Sequence, residues 1–176
     1  FFDVVVGRIP FYGKIDDLDH ILGKIIAYEN DPNPQWRKNI LLPMKRYHDN
    51  ARTYYLGEAI KNDFLVPNGF DFHRIWTYDA SDPDCTYPET TPINYTNVNN
   101  EWNSEPFGAV LWTAHGNAVK ASYITDTSYV KNLDDDHPVF TFQASCSNSH
   151  PGNSDNLSYS LLVNGAVATV GCPTTS

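Results

Sequence analysis

An α/β fold built on a mostly parallel sheet is predicted by three observations on this chain. Short apolar runs rich in β-forming residues alternate with amphipathic stretches of helical spacing, the pattern of β-α units. Two of those runs, at 109–113 and 139–143, are apolar enough for strands in the middle of a covered sheet. The 176 residues, 41% of them hydrophobic and without repeat or low-complexity tract, suit one globular unit, so residues 1–176 read as a single domain.

The elements follow in order. Residues 3–7, with Val4, Val5 and Val6 in a row, read as a buried strand. Asp16 or Asp17 then opens a helix that sets Leu18, Ile21, Leu22, Ile25 and Ile26 on one face, and Asp31-Pro32-Asn33-Pro34 stops it. Residues 40–42 are the next apolar run. From 49 to 61, Thr53, Leu56 and Ile60 keep helical spacing, and the turn Pro67-Asn68-Gly69 follows. A third strand fits 74–78, and residues 79–105, with Pro83, Pro88 and Pro92 among Asn and Asp, read as one long loop. After the strands at 109–113 and 139–143 come a polar run at 145–156, a helix carrying Leu157, Leu161 and Leu162, a stop at Gly165 and a last strand over 166–170.

Charge and composition exclude several function classes. Twelve Lys and Arg stand against twenty-one Asp and Glu, for a net charge of −9. The cations are scattered singly or in pairs such as Arg37-Lys38 and Lys45-Arg46, whereas phosphate contact calls for clustered ones, so no nucleic-acid partner is expected. No run approaches the length of a membrane span, and no signal-peptide pattern opens the chain. The first residue is Phe1, and an apolar run lies close to the other end, so the sequence reads as a fragment of a longer protein. Cys85, Cys146 and Cys172 cannot all pair within one chain. Cys85, in a Pro- and Asp-rich loop, and Cys172, beyond an apolar run, read as structural thiols or one disulfide.

Chemistry concentrates at two strand ends, where open parallel sheets carry their ligand crevice. One run ends Thr113-Ala114-His115-Gly116, and the other ends Gln143-Ala144-Ser145-Cys146. A neutral thiol is a poor nucleophile at neutral pH, so an imidazole that takes its proton and returns it to the leaving amine turns such a pair into a catalytic dyad. His115 and Cys146 are the candidates. A tetrahedral intermediate also needs oxyanion donors, for which the N–H groups of Gly116 and Cys146 are suited. Trp112 and Gln143 are expected just under the site, Gln143 within reach of substrate, and Asn117 and Asn148 are expected against the substrate backbone.

An apolar strand followed by His-Gly, then a second apolar strand followed by Ala-Cys or a near variant, resembles the caspase and legumain clan. The residues look most like gingipain-type cysteine peptidases, through Val6-Gly7-Arg8-Ile9-Pro10, Lys24-Ile25-Ile26-Ala27-Tyr28-Glu29 and the passage from Leu161 to Gly171. Ala114, where gingipain-like sequences often have glycine, and Ser145, inserted between Ala144 and Cys146, are departures. The resemblance implies a caspase-like three-layer α/β/α sandwich and peptide-bond hydrolysis through an acyl-enzyme, often after a basic residue. Asp49 falls near the position of the family's pocket acid. The resemblance further implies a peptide or protein substrate, other domains of the same polypeptide, and a secreted or cell-surface location. It requires no cofactor, and it admits calcium as a structural ion.

Two readings from other classes stand beside this one. A caspase-like domain that has lost competence would serve as a binding or scaffold domain of a larger secreted protein. A metal-dependent hydrolase would use His115, His137, Cys146 and His150 as zinc ligands, although their spacing matches no recognised zinc pattern. The acidic run Asp134-Asp135-Asp136 lacks the alternating spacing of a calcium loop and reads as a solvated turn. Neither Ser145 nor Ser147 lies in a Gly-x-Ser-x-Gly elbow. Asn94-Tyr95-Thr96 and Asn156-Leu157-Ser158 fit the glycosylation acceptor pattern and are assigned no function.

Overall fold

The computed structural model describes residues 7–45, 53–76 and 92–175. Val4, Val5 and Val6, and with them most of the first expected strand, lie outside the described residues, as do Asp49 and Cys85.

The first helix, α1 (Ile15–Glu29), buries a narrower face than its apolar residues suggest. Ile21 and Ile25 pack with Tyr159 and Leu162, but Leu22 and Ile26 point to solvent. The remaining inward position belongs to Lys24, which ion-pairs with Asp135 at 2.5 Å and donates to Val163 O. Residues 40–42 lie inside strand β1 (Asn39–Met44), and the second helix, α2 (Thr53–Ile60), continues through a wide turn at Lys61–Leu65. Strand β2 covers Asp71–Trp76, starting earlier than expected.

The expected long loop at 79–105 is corrected in its second half, which holds helix α3 (Tyr95–Trp102). Asn94 caps it by accepting from Asn97 N–H, and Val98 and Trp102, one turn apart, fill the core. Strand β3 (Ala109–Thr113) is followed by three two-residue strands, β4 (Gly116–Asn117), β5 (Lys120–Ala121) and β6 (Thr125–Asp126), and by the short helix α4 (Thr127–Val130). Then come β7 (Val139–Ala144), α5 (Leu157–Val163) and β8 (Ala166–Gly171). Gly165, at φ 81°, makes the left-handed turn between the last two.

All pairings in the main sheet are parallel, in the order β2-β1-β3-β7-β8, while β4-β5-β6 form a small antiparallel sheet beyond the end of β3. Pro43 has no N–H to give, and the pairing of β1 with β3 skips Leu42 and Pro43 between Leu41↔Val110 and Met44↔Thr113. One sheet face carries Val110 and Trp112 and is covered by Val98 and Trp102 of α3, Val130 of α4, and Leu157 and Leu161 of α5. The opposite face carries Ile40, Leu42, Met44 and Trp76 and is covered by Leu65 and Ile60. This is the α/β sandwich with helices on both faces. Over β7 and β8 the described residues cover the second face only in part: Tyr28 of α1 meets Phe140 edge-on, while Phe140, Phe142 and Val170 are 47%, 52% and 59% exposed.

Candidate active site

The register of the central strands aligns the two reactive strand ends. Ala109 pairs with Phe140 and Thr113 with Ala144, an offset of 31 positions that His115 and Cys146 share. Each lies two residues beyond the last pair of β3 and β7, at the carboxyl edge of the sheet. His115 is exposed and Cys146 half-buried.

Each strand is made to end there. Ala114 N–H donates to Ala144 O at 3.1 Å, the last rung between the two. Ser145 N–H then turns back onto Gln143 O at 2.9 Å, a three-residue turn that closes the strand. The hydroxyl of Ser145 points into the core, accepting from Trp112 Nε1 at 3.0 Å and donating to Asn148 Oδ1. The inserted serine is therefore the residue that faces inward. The following residue, Ser147, has φ 58°, a left-handed conformation uncommon for a side chain of this kind, and its N–H is held by Thr174 O at 2.9 Å. Such strain persists where surrounding contacts over-determine it, and it clusters at functional sites. Ser149 N–H adds a second tie, to Cys172 O at 3.0 Å.

Gly116 shows why the histidine is followed by glycine. A Cβ there would lie 2.8 Å from Cys146 O and 2.9 Å from Ser145 Cβ, so the two strand ends approach as closely as they do only because no side chain intervenes. Ser122 N–H donates to His115 O at 2.7 Å, which makes Gly116↔Ala121 the non-hydrogen-bonded pair of its ladder and turns the Gly116 N–H away from β5.

The expected substrate contacts are revised by burial. Asn148 is 0% exposed, and its amide donates to Asn117 O at 2.6 Å and Lys120 O at 3.0 Å, so it bolts the segment after Cys146 to the hairpin after His115. Gln143 is buried too, donating to Thr141 Oγ1 and accepting from Ser158 Oγ. Both are occupied inside the protein because a buried amide without partners is costly. Asn117 is exposed, and its side-chain oxygen closes the β4–β5 turn by accepting from Val119 N–H. Trp112 lies under the site as a fully buried support. The polar residue types around Cys146 were visible in the sequence. Nothing in them told which side chains turn inward.

Among the described residues, the cluster of three possible metal ligands is His73, Glu101 and Glu105, which includes none of His115, His137, Cys146 and His150. The two ring nitrogens of His73 face different carboxylates, Nδ1 at 2.7 Å from Glu101 and Nε2 at 3.2 Å from Glu105. The carboxylates of the acidic run have separate partners. Asp135 accepts from Lys24, His20 and Gly165 N–H, whereas Asp134 accepts from Asp136 N–H. The expected solvated turn is thus, at Asp135, an anchor. Burial alone would raise the Asp135 carboxyl, but hydrogen bonds from Lys24, Gly165 and His20 outweigh it and hold the group below its ordinary value.

No curated protein matches the sequence. Solved structures do match the fold. The Arg-specific cysteine proteinase gingipain R superposes with a TM-score of 0.69 at 19% identity over 89% of this chain. The complex of the pro- and mature domains of RgpB from Porphyromonas gingivalis gives 0.76 at 18% identity over 99% of it. A further structure described only as a protease gives 0.65 at 17% identity over 93%. The chain spans 37%, 42% and 36% of those three chains, respectively. The family model described as peptidase family C25 matches residues 1–176, and the chain belongs to that family.

Proposed function

We propose that this chain is the catalytic unit of a cysteine endopeptidase in which Cys146 is the nucleophile and His115 the general base and acid. The observation that carries this reading is the shared offset of β3 and β7, which brings the two residues to equivalent positions at the carboxyl edge of the sheet. Family membership supports the reaction class. The strained backbone at Ser147 and the close approach across Gly116 support the location.

In this scheme His115 removes the thiol proton and the Cys146 sulfur adds to the scissile carbonyl carbon. The N–H groups of Gly116 and Cys146 stabilise the resulting oxyanion. Collapse of the intermediate breaks the C–N bond, and the imidazolium protonates the departing amine. Water, deprotonated by His115, adds to the thioester, and expulsion of the thiolate releases the carboxylic acid and restores the dyad. No step requires an organic cofactor. In the finer reading a basic P1 side chain meets Asp49. The substrate is a peptide or protein, and other domains of the same polypeptide are the further partners; the half-exposed Phe140, Phe142 and Val170 surface is consistent with them.

Alkylation by iodoacetamide followed by peptide mapping tests the dyad. Cys146 is expected to react faster near neutral pH than Cys85 or Cys172, and His115→Ala to slow it strongly. The same variant is expected to lower peptide hydrolysis by roughly 10²–10⁴-fold. Reactivity of Cys146 that is ordinary and indifferent to His115 would sink the assignment. Arginyl, lysyl and neutral peptide substrates compared on wild type and Asp49→Asn test the basic preference, which fails if the ranking does not change.

A further inference from the structure

Tyr123 is the least expected residue near the candidate site. It is the third residue of the turn Ala121–Ile124, closed by Ile124 N–H to Ala121 O at 3.0 Å, and its φ is 66°. Glycine or asparagine is favoured at such a position, and a bulky side chain there is an outlier. The turn itself is firmly held. Ala121 and Ile124 are fully buried, and Asn99 of α3 donates to Ile124 O at 2.9 Å while accepting from Thr125 Oγ1 at 3.0 Å. Tyr123 nevertheless stays 49% exposed.

Two ties fix where that ring stands. Its neighbour Ser122 donates to His115 O, and the Lys45 ammonium lies 4.2 Å from the centre of the Tyr123 ring. Lys45 is itself just past β1, with its N–H on Thr113 O at 2.9 Å, two residues before His115. Both ties lead to residues at the carboxyl ends of β1 and β3, the side on which an open α/β sheet receives its ligand. Tyr95 lies nearly parallel to the Tyr123 ring at 6.3 Å and continues to Tyr129 at 5.7 Å, so the three rings form a row. A glycine would make the same turn without strain, so the strained backbone points to a role for the tyrosine side chain.

We infer that Tyr123 is a specificity-determining residue that forms an aromatic wall of the substrate cleft beside His115 and receives an apolar or aromatic substrate side chain. This rests on the cleft assigned above, but not on turnover. The Lys45 ammonium already occupies a face of the ring, so a cationic side chain gains little there.

Binding to the Cys146→Ala protein tests the proposal without chemistry. Fluorescently labelled alanine-based peptides carrying a single Phe, Leu or Lys at successive positions are titrated by fluorescence polarisation, with and without Tyr123→Gly. At one position the Phe and Leu peptides are expected to bind at least fivefold tighter than the Lys peptide, and Tyr123→Gly to abolish most of that preference. The Tm of Tyr123→Gly is expected to equal or exceed that of the parent, because the turn is relaxed; if that variant misfolds, Tyr123→Asn replaces it, since asparagine tolerates this backbone. An unchanged preference, or an equal loss for every peptide, overturns the proposal. The dyad reading stands or falls separately, on the His115 dependence of Cys146 alkylation.

Discussion

At Gly116 a single missing methyl group lets the two strand ends meet. Adding it in Gly116→Ala sets a Cβ against Cys146 O and Ser145 Cβ, and the nearest partners are backbone or buried, so they cannot give way cheaply. We expect about 1–3 kcal/mol of destabilisation and a loss of at least about 10²-fold in kcat on peptides, read by urea unfolding and by hydrolysis assays. Activity and stability both near wild type would show that the close approach is unimportant. Ser145 is expected to act on position rather than reaction. In Ser145→Ala the Trp112 indole N–H loses its acceptor and Asn148 a donor, at a cost of about 1–3 kcal/mol. Residue chemistry also explains the two glycosylation-like patterns. Asn94 and Asn156 are both helix N-caps, accepting from Asn97 and Tyr159 N–H, and Asn156 is buried.

At the scale of elements, α1 is pinned by polar contacts as much as by apolar ones. The Lys24 side chain is 3% exposed and its ammonium is satisfied by Asp135 and Val163 O, while Tyr159 of α5 donates to Asp17. Burial, reinforced by that carboxylate, pushes the Tyr159 phenol up to about 12. Asp135→Asn leaves a buried ammonium without its counter-charge and is expected to cost about 2–3 kcal/mol, measured by chemical denaturation. The Asp135 carboxyl sits below its ordinary value in the folded protein, so its contribution is fully present above the unfolded pKa of about 3.9 and is lost as pH falls through the lower folded value. The wild type is therefore expected to lose stability over that acid window more steeply than Asp135→Asn. Parallel acid-unfolding curves for the two would contradict the assignment. Helix α3 is hard to read from the sequence because its Asn-rich stretch has only Val98 and Trp102 as apolar inward residues, with the polar Asn99 buried beside them, and the signal that marks it is the Asn94 cap.

For the whole molecule, the two faces of the sheet differ in what they contribute. Trp112 is buried beneath three helices, and Trp112→Ala is expected to cost about 3–5 kcal/mol. Phe142 on the other face is half exposed, and Phe142→Thr is expected to cost under about 1 kcal/mol in this chain, since threonine suits a strand and little burial is lost. Urea titrations of the two variants check the contrast. A large cost at Phe142 would mean that this face is covered.

The strands at 109–113 and 139–143 and the helices opening near Asp16 and at Leu157 were legible in the chain because they rest on local periodicity and on stops such as Gly165. The pairing of His115 with Cys146 was legible as a motif, but its register is a property of two hydrogen-bonded strands and not of either one. The inward turn of Ser145 and Asn148 was not legible, because a polar residue type is equally suited to a cleft or to a buried hydrogen-bond network. Nor was the left-handed backbone at Ser147 and Tyr123, where contacts from Thr174, Asn99 and the buried Ile124 overrule the local preference of each residue. Patterns along the chain name the elements and the reactive groups. Which side chains face the cleft depends on what distant segments press against them.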